Sequence, residues 1–231
     1  MARVMQVASA RGGWLRRARD IVRSEGLRPL LSRGFRFARE AVFQHGEYYL
    51  YEHSLTQRDE ALFSPRVDNL TFRIVRTNKE ADELAAEIGS DFRRRFVRAR
   101  RSLDRNAIAF CFFVGGEIAH IGWVALGEEA KACFDPVPYK VDFSGKVACT
   151  GGTITVPKYE RRGLMAYGYV KRLEFLRELG WKASRNCVAV GNIASQKAQA
   201  KLGPRIYGRA RCLKLLRWRF LWQRPIVKDA G

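Results

Sequence analysis

Acidic residues are scarce in this sequence. The 231 residues include 43 Lys and Arg but only 23 Asp and Glu, which gives a formal net charge of +20. No acidic residue occurs anywhere in residues 192–228. A charge of this sign and size predicts an anionic partner, which could be nucleic acid, an anionic membrane surface, an acidic acyl-carrier protein or a phosphorylated ligand.

Paired cysteines and long apolar runs are also missing. The five cysteines include no Cys-x-x-Cys pair, so neither a disulfide framework nor a metal site is predicted. No apolar run approaches the roughly 20 residues of a membrane span, and the N-terminus does not resemble a signal peptide. We therefore expect a cytoplasmic protein, with peripheral attachment to the inner membrane face as the alternative.

Residues 1–55 form a candidate basic helical extension, followed by a domain over residues 56–231. Apolar residues recur at helical spacing over residues 14–42, with arginines on the other faces, and Gly26 and Pro29 separate two such segments. Basic amphipathic helices can lie in a membrane interface. They can equally dock on the domain and expose their arginine face to solvent.

The C-terminal segment, residues 214–224, interleaves Lys and Arg with Trp and Phe. This composition suits a stacking platform for nucleic acid. It also suits a membrane-interface belt, or a last strand with core-facing aromatics. Because residues 14–43 are also basic and amphipathic, the sequence favours an anionic membrane over nucleic acid.

The most specific pattern covers residues 151–203. A β-branched strand at residues 151–156 ends at Pro157, and a basic turn containing a glycine opens a helix that runs to about Leu179. A short strand follows, and Asn192 can cap a second helix. The free N–H groups and dipole of a helix N-terminus favour phosphate, and Arg161 and Arg162 add positive charge.

This order of elements resembles the acetyl-CoA-binding core of the GCN5-related N-acetyltransferase superfamily. The family pattern is a strand ending in Val-x-Pro, the turn Arg/Gln-x-x-Gly-x-Gly/Ala, a helix, a strand, Asn, and a helix closing on Leu-Gly-Phe. The chain departs from it at three positions: Glu160 replaces the first residue of the turn, Met165 its last small residue, and Pro204 the final Phe.

The resemblance implies an α/β fold with a mixed, mostly antiparallel central sheet flanked by helices. It also implies transfer of an acetyl group from acetyl-CoA to an amine of a small molecule, with an amino sugar or glycan precursor as the expected acceptor. The strand would pair with the pantetheine arm and the turn would meet the pyrophosphate. The implied cofactor-binding residues are Ile154, Thr155, Val156, Arg161, Arg162, Gly163, Leu164, Met165, Ala166, Asn192 and Ser195.

The catalytic groups of the family are not evident. The position of the usual tyrosine acid in the last helix holds Gln199, and the central strand offers Cys149 and Thr153 but no carboxylate. His120 is the predicted base, because an unperturbed histidine titrates near neutral pH. The alternative for His120 is a buried residue of the strand.

Two other functions remain open. A chain that keeps the fold without these catalytic groups could be an inactive module that binds nucleic acid or an anionic membrane. An acyltransferase could instead take its acyl group from an acyl-carrier protein, docked on an arginine-rich helix predicted over residues 92–103.

Overall fold

The computed structural model describes residues 43–96, 98–215 and 218–225. The described strands are β1 (Phe43–Ser54), β2 (Leu70–Val75), β3 (Ile108–Val114), β4 (Glu117–Ala125), β5 (Val147–Thr155), β6 (Ala183–Ala189), β7 (Arg205–Leu215) and β8 (Trp218–Pro225). The described α-helices are α1 (Asn78–Ile88), α2 (Ala99–Asp104), α3 (Glu128–Phe134), α4 (Leu164–Glu178) and α5 (Ile193–Ala200). Short 3-10 helices cover Glu60–Phe63, Phe92–Arg94 and Pro157–Tyr159.

The chain divides into two compact units. The first contains, among the described residues, 43–45, 213–215 and 218–220, which belong to β1, β7 and β8. The second contains Gly46–Cys212 and the remainder of β8. The extension predicted up to residue 42 lies outside the described residues, and the predicted boundary at residue 55 stays a prediction. None of the described helices is long and apolar enough to span a membrane.

The strands form one sheet in the order β2-β3-β4-β5-β6-β1-β7-β8. The neighbouring strands from β2 to β5 pair antiparallel, β5 and β6 pair parallel, and β6 and β1 pair antiparallel. The predicted mixed, mostly antiparallel sheet flanked by helices is therefore confirmed.

Helices cover both faces of the sheet. Alternate residues of β3 separate cleanly, since Phe110 and Phe112 belong to one apolar cluster and Cys111 and Phe113 to another, as the period of a strand requires. The cluster of Phe110 and Phe112 contains residues of α4, and the other contains residues of α1, α2 and α3. The central strands are thus buried on both sides.

Strands β5 and β6 pair over only three residues each. Val147–Cys149 are matched with Ala183–Arg185, and the pairing ends there. We call this point the fork. Beyond it, β5 keeps its partner β4 as far as Thr155. Within the described part of the chain no strand pairs with its other edge there, so that edge could pair with another molecule.

A β-bulge deforms β5 just beyond the fork. Ile121 is matched with Ile154 but Trp123 with Gly151, so two residues of β5 oppose Gly122. One of them, Gly152, has a φ of +57°. A Cβ at Gly152 would lie 2.8 Å from Trp123 Cδ1. Backbone conformation and crowding therefore both require glycine there.

We expect Gly152→Ala to lower the free energy of unfolding by about 2–4 kcal/mol, because it adds left-handed backbone strain to an overpacked core. Gly191→Ala is the matched control, since a Cβ at Gly191 meets nothing within 4 Å. Urea unfolding of the two variants and the wild type measures the difference. Equal midpoints for the two variants would show that the bulge tolerates a side chain.

The predicted arginine-rich helix over residues 92–103 is wrong. A 3-10 helix and α2 replace it, because Asp91 caps the first segment: its Oδ1 accepts the backbone N–H of Arg93 at 3.0 Å. The guanidinium of Arg93 is buried and pairs with Asp91 at 2.8 Å and with Asp82 at 2.5 Å. Arg93 is thus part of the fold and not of an exposed basic surface.

Candidate functional site

A cleft of about 710 Å³ lies where β5, the following turn, the start of α4 and the start of α5 meet. Most of the residues predicted to bind the cofactor line it. The lining residues are Thr153, Thr155, Tyr159, Glu160, Arg161, Gly163, Leu164, Met165, Ala166, Asn192, Ile193, Ala194, Ser195, Lys197, Ala198 and Lys201.

Three predicted residues lie elsewhere. Ile154 lines a second cavity of about 390 Å³, as expected from the alternation of side chains along β5. Val156 is buried, and its N–H donates to the carbonyl of Ala119 at 2.9 Å. Arg162 is exposed, and its carbonyl accepts the N–H of Arg66 at 2.8 Å. Roles for these three in cofactor binding stay predictions.

The N-terminus of α4 opens into the cleft. Gly163 is its N-cap, with a φ of +90° and no side-chain cap. The first-turn amides, from Leu164 to Ala166, have no acceptor within the helix, and all three residues line the cleft. Arg161, held at a φ of +60°, lines it too. The helix dipole and this arginine make the end of the cleft suited to an anion.

Helix α5 forms the opposite wall. The Oδ1 of Asn192 accepts the N–H of Ser195 at 3.1 Å, which confirms Asn192 as an N-cap. Lys197 of the same helix and Lys201, which directly follows the helix, line the cleft. Their ammonium groups add positive charge to the wall that faces the α4 terminus.

A buried polar network lies on the α4 side of the sheet. The Tyr169 hydroxyl accepts hydrogen bonds from Asn186 Nδ2 at 2.8 Å and from Gln199 Nε2 at 3.1 Å. Gln199 Oε1 bonds His53 Nε2 at 2.9 Å. Gln199, at the family's acid position, is therefore fully engaged in holding a tyrosine of the neighbouring helix.

Arg172 brings a buried positive charge to the same network. Its Nε donates to the Gly168 carbonyl at 2.9 Å, its Nη1 lies 3.3 Å from Thr153 Oγ1, and its guanidinium stacks over the ring of Tyr169 at 4.0 Å. No carboxylate pairs with it among the described residues, and its Nη2 has no hydrogen-bond partner there. Burial lowers its pKa, which remains that of a guanidinium.

His120, the predicted base, is fully buried. Its Nδ1 shares a 2.8 Å hydrogen bond with Thr155 Oγ1, and Gly168 of α4 passes close to its Nε2. Burial, with a smaller effect of the Arg172 charge, lowers its pKa to about 3. The imidazole is therefore neutral at physiological pH and links β4 to a cleft-lining residue of β5. Its catalytic role stays a prediction.

His120 should also make stability depend on pH. An unfolded histidine titrates near pH 6.5 and His120 in the fold near 3, so between these values the unfolded chain binds more protons. This contribution is fully present above pH 6.5 and is lost as the pH falls toward 3. Near pH 5, His120→Gln should reduce the slope of unfolding free energy against pH by about 1.4 kcal/mol per pH unit.

Urea unfolding between pH 4.5 and 8 checks this slope. His53, whose pKa burial lowers to about 4, should still give the variant a residual slope. Above pH 7 the variant and the wild type should run parallel. An unchanged slope near pH 5 would show that His120 is protonated in the folded state.

The sequence analysis missed Arg172 and Tyr169. The sequence contains a signal that points to this part of α4. The helix carries an apolar stripe that includes Leu164, Leu173 and Leu176, and Arg172 lies within that buried surface. A charged residue at a position that helical periodicity assigns to the core is a sign of a buried polar site. Among the described residues, no group of three or more His, Cys, Asp or Glu could hold a metal ion.

Comparison with known proteins identifies the architecture. No protein-family model matches the sequence, and no curated protein matches it significantly. Among solved structures, the glucosamine N-acetyltransferase region of a fungal multi-domain β-N-acetylglucosaminidase matches with a TM-score of 0.50 and 10% identity, over 83% of this chain and 23% of that one. The chain has the fold of the GCN5-related N-acetyltransferases.

Two further structures carry the family name. An acetyltransferase from Colwellia psychrerythraea matches at 17% identity and a TM-score of 0.48, over 79% of this chain and 57% of that one. A GCN5-related N-acetyltransferase from Kribbella flavida matches at 14% identity and a TM-score of 0.43, over 83% and 64%. The chain spans between 57% and 66% of the lengths of three solved structures that it matches.

Proposed function

We propose that the protein is an N-acetyltransferase that moves an acetyl group from acetyl-CoA to an amine of a small molecule. The observation that carries this proposal is the cleft of about 710 Å³, which combines an uncapped helix N-terminus with a strand that has a free edge beyond the fork. The first feature suits a pyrophosphate and the second suits an extended chain of amides.

The residues of the cleft suggest how acetyl-CoA is held. The amides of Leu164–Ala166 and the guanidinium of Arg161 would receive the pyrophosphate, and Lys197 and Lys201 would meet the outer phosphate. The backbone of β5 around Thr155 would pair with the pantetheine arm. This arrangement directs the thioester toward the fork, where β5 leaves β6.

The acceptor has a cavity of its own in this proposal. The cavity of about 390 Å³ that contains Ile154 is bordered by the apolar rings of Phe96 and Phe134 and by Arg95 and Arg98. Guanidinium groups bind phosphate and carboxylate well. We therefore infer a small amine that also carries an anionic group, with a phosphorylated amino sugar or charged glycan precursor as the first class to test.

Charge reversal at the cleft should weaken acetyl-CoA binding. Replacing Lys201 by Glu should raise the dissociation constant about tenfold, because one phosphate contact is lost and repulsion is added. The matched control is Lys182→Glu, an exposed lysine outside the lining of the cleft. Titration calorimetry with acetyl-CoA measures both variants.

Adenosine 3′,5′-bisphosphate serves as the control ligand for charge. Acetyl-CoA should bind the wild type more tightly, because the bisphosphate lacks the pantetheine arm that β5 would hold. Equal affinities for the two ligands, or equal losses in both lysine variants, would contradict a dedicated acetyl-CoA site.

A membrane-bound state is a second proposal, and it concerns location and partner. Trp222 is 55% exposed in the second unit, and Trp218 is 59% exposed in the first. Exposed tryptophans in a chain of charge +20 suit the headgroup region of an anionic membrane. Co-sedimentation with vesicles containing phosphatidylglycerol, and not with pure phosphatidylcholine vesicles, would support it, whereas equal sedimentation would exclude charge-driven binding.

An acyl-carrier protein remains the alternative donor. A 3-10 helix and α2 replace the continuous docking helix that was predicted. The exposed arginines of this stretch are Arg94, Arg95, Arg98, Arg100 and Arg101. Acyl transfer from a loaded carrier protein by a chain that fails to bind acetyl-CoA would favour that donor.

A further inference from the structure

A buried carboxylate bridges the fork on the side opposite Arg172. It belongs to Asp135, which directly follows α3 and is only 6% exposed. We propose that Asp135 is the general base of the reaction and accepts the proton that the acceptor's ammonium group must lose before it attacks the thioester. This inference rests on the proposed acetyl transfer.

Four donors converge on the carboxylate. The Tyr139 hydroxyl donates to Oδ2 at 2.6 Å, and the backbone N–H of Val137 donates to Oδ1 at 3.2 Å. The Cys187 thiol lies 3.5 Å from Oδ1, and the Cys149 thiol lies 3.9 Å from Oδ2. Cys149 is the last residue of β5 that pairs with β6, and Cys187 lies on β6 beyond that pairing. Asp135 therefore touches both strands where they separate.

The surroundings suit a carboxylate that takes up and releases a proton. Burial raises the pKa of Asp135, while the Lys131 charge and the Tyr139 hydrogen bond oppose this shift. Lys131 Nζ donates to the Val137 carbonyl at 2.8 Å, and no ion pair within 4.0 Å holds Asp135 among the described residues. The titratable groups that face Asp135 are Lys131 of α3, Tyr139 of the following loop, Cys149 of β5, Cys187 of β6 and Tyr48 of β1.

Burial also raises the pKa of both neighbouring thiols. Cys149 and Cys187 therefore stay protonated at neutral pH, and they act as donors to the carboxylate and not as nucleophiles. The cluster thus contains one group, Asp135, whose ionised form is stabilised by every hydrogen bond it receives.

In this proposal the amine would enter the smaller cavity, which lies beside the segment that carries Asp135. Cys133, Phe134 and Pro136, which flank Asp135 along the chain, all line that cavity. A Cβ at Gly151 of β5 would lie 3.3 Å from the Phe134 ring and 3.9 Å from Asp135 Cβ. The lack of a side chain at Gly151 lets the Phe134 ring and Asp135 pack close to the strand that would hold the thioester.

The step balances without another reactant. The acceptor ammonium gives one proton to the Asp135 carboxylate, and its nitrogen lone pair forms the C–N bond with the thioester carbonyl carbon. As the C–S bond breaks, the sulfur takes the electron pair, and a second proton leaves the nitrogen and ends on the thiolate. The products are the acetylated amine, the free thiol and protonated Asp135, which releases its proton to solvent.

The test compares Asp135→Asn with Asp142→Asn, a substitution of the same kind on the same loop. Asp142 is exposed and caps Gly145 through a 3.0 Å hydrogen bond. Acetyl-CoA is the donor, and the acceptors are glucosamine 6-phosphate and hydroxylamine. The sugar amine is largely protonated at neutral pH, whereas hydroxylamine is not and therefore needs no base.

We expect Asp135→Asn to lower kcat with the amino sugar by about 10²–10⁴-fold. Transfer to hydroxylamine and the dissociation constant for acetyl-CoA should stay near the wild-type values, which a general loss of structure would not allow. The part of the rise of kcat/KM with pH that comes from ionisation of Asp135 should also disappear, whereas the rise that comes from ionisation of the amine should remain. Asp142→Asn should resemble the wild type in every measurement.

Tyr139→Phe provides a second readout, which remains available if Asp135→Asn does not fold. The loss of its hydrogen bond destabilises the ionised carboxylate, so the acidic limb of the pH profile should move to higher pH. An active wild type whose pH profile is unchanged by either substitution would overturn the role of Asp135. A wild type that acetylates neither acceptor would instead contradict acetyl transfer itself.

Discussion

The early end of the pairing between β5 and β6 is the constraint on which the rest of the structure depends. Two parallel strands that stayed paired would satisfy each other's backbone groups and leave no room for a ligand. Here the pairing covers three residues of each strand, and the bulge at Gly152 then turns β5 further. The cleft, the smaller cavity and both buried polar clusters are arranged around this separation.

The polar groups beside the fork are costly for a fold of this size. A buried guanidinium without a carboxylate partner and a buried carboxylate without a cation partner each oppose folding. Arg172 is stabilised by carbonyl, hydroxyl and aromatic contacts, and Asp135 by a hydroxyl, an amide and two thiols. The positive charge of Arg172 and the negative charge of Asp135 are thus held on opposite faces of the sheet, each by uncharged groups. Buried charges that cost folding energy in this way are typical of functional sites.

The sequence predicts the local features of this site well. The glycine-containing turn, the helix that it opens and the Asn192 cap depend on a few neighbouring residues, and all three are found in the structure. The role of His120 could not be assigned in the same way. Strand β4 is buried on both faces, so the alternation of its side chains does not separate a core face from a face that meets the cleft. The helix predicted over residues 92–103 failed because a single side chain, Asp91, stabilises a competing short turn.

The acidic cluster could not be predicted, because it exists only after folding. Cys187 is 52 residues from Asp135 along the chain, and their contact requires β5 and β6 to separate beside the loop that follows α3. The central strand lacks the carboxylate that the family pattern leads one to expect. The structure places one from the preceding loop beside the same strand, within contact of Cys149.

Gly151 lies close both to Arg172 and to the segment that carries Asp135. Its carbonyl lies 3.5 Å from the Arg172 guanidinium, and a Cβ at Gly151 would lie 3.3 Å from the Phe134 ring and 3.9 Å from Asp135 Cβ. A positive charge on the α4 side favours the electron density that develops on a thioester as it is attacked, and it costs no reorganisation because it is fixed by folding. A carboxylate on the opposite side favours the ammonium that must be deprotonated. In the proposed reaction, the same separation of β5 and β6 that would admit the substrate would therefore also place it in an oriented field.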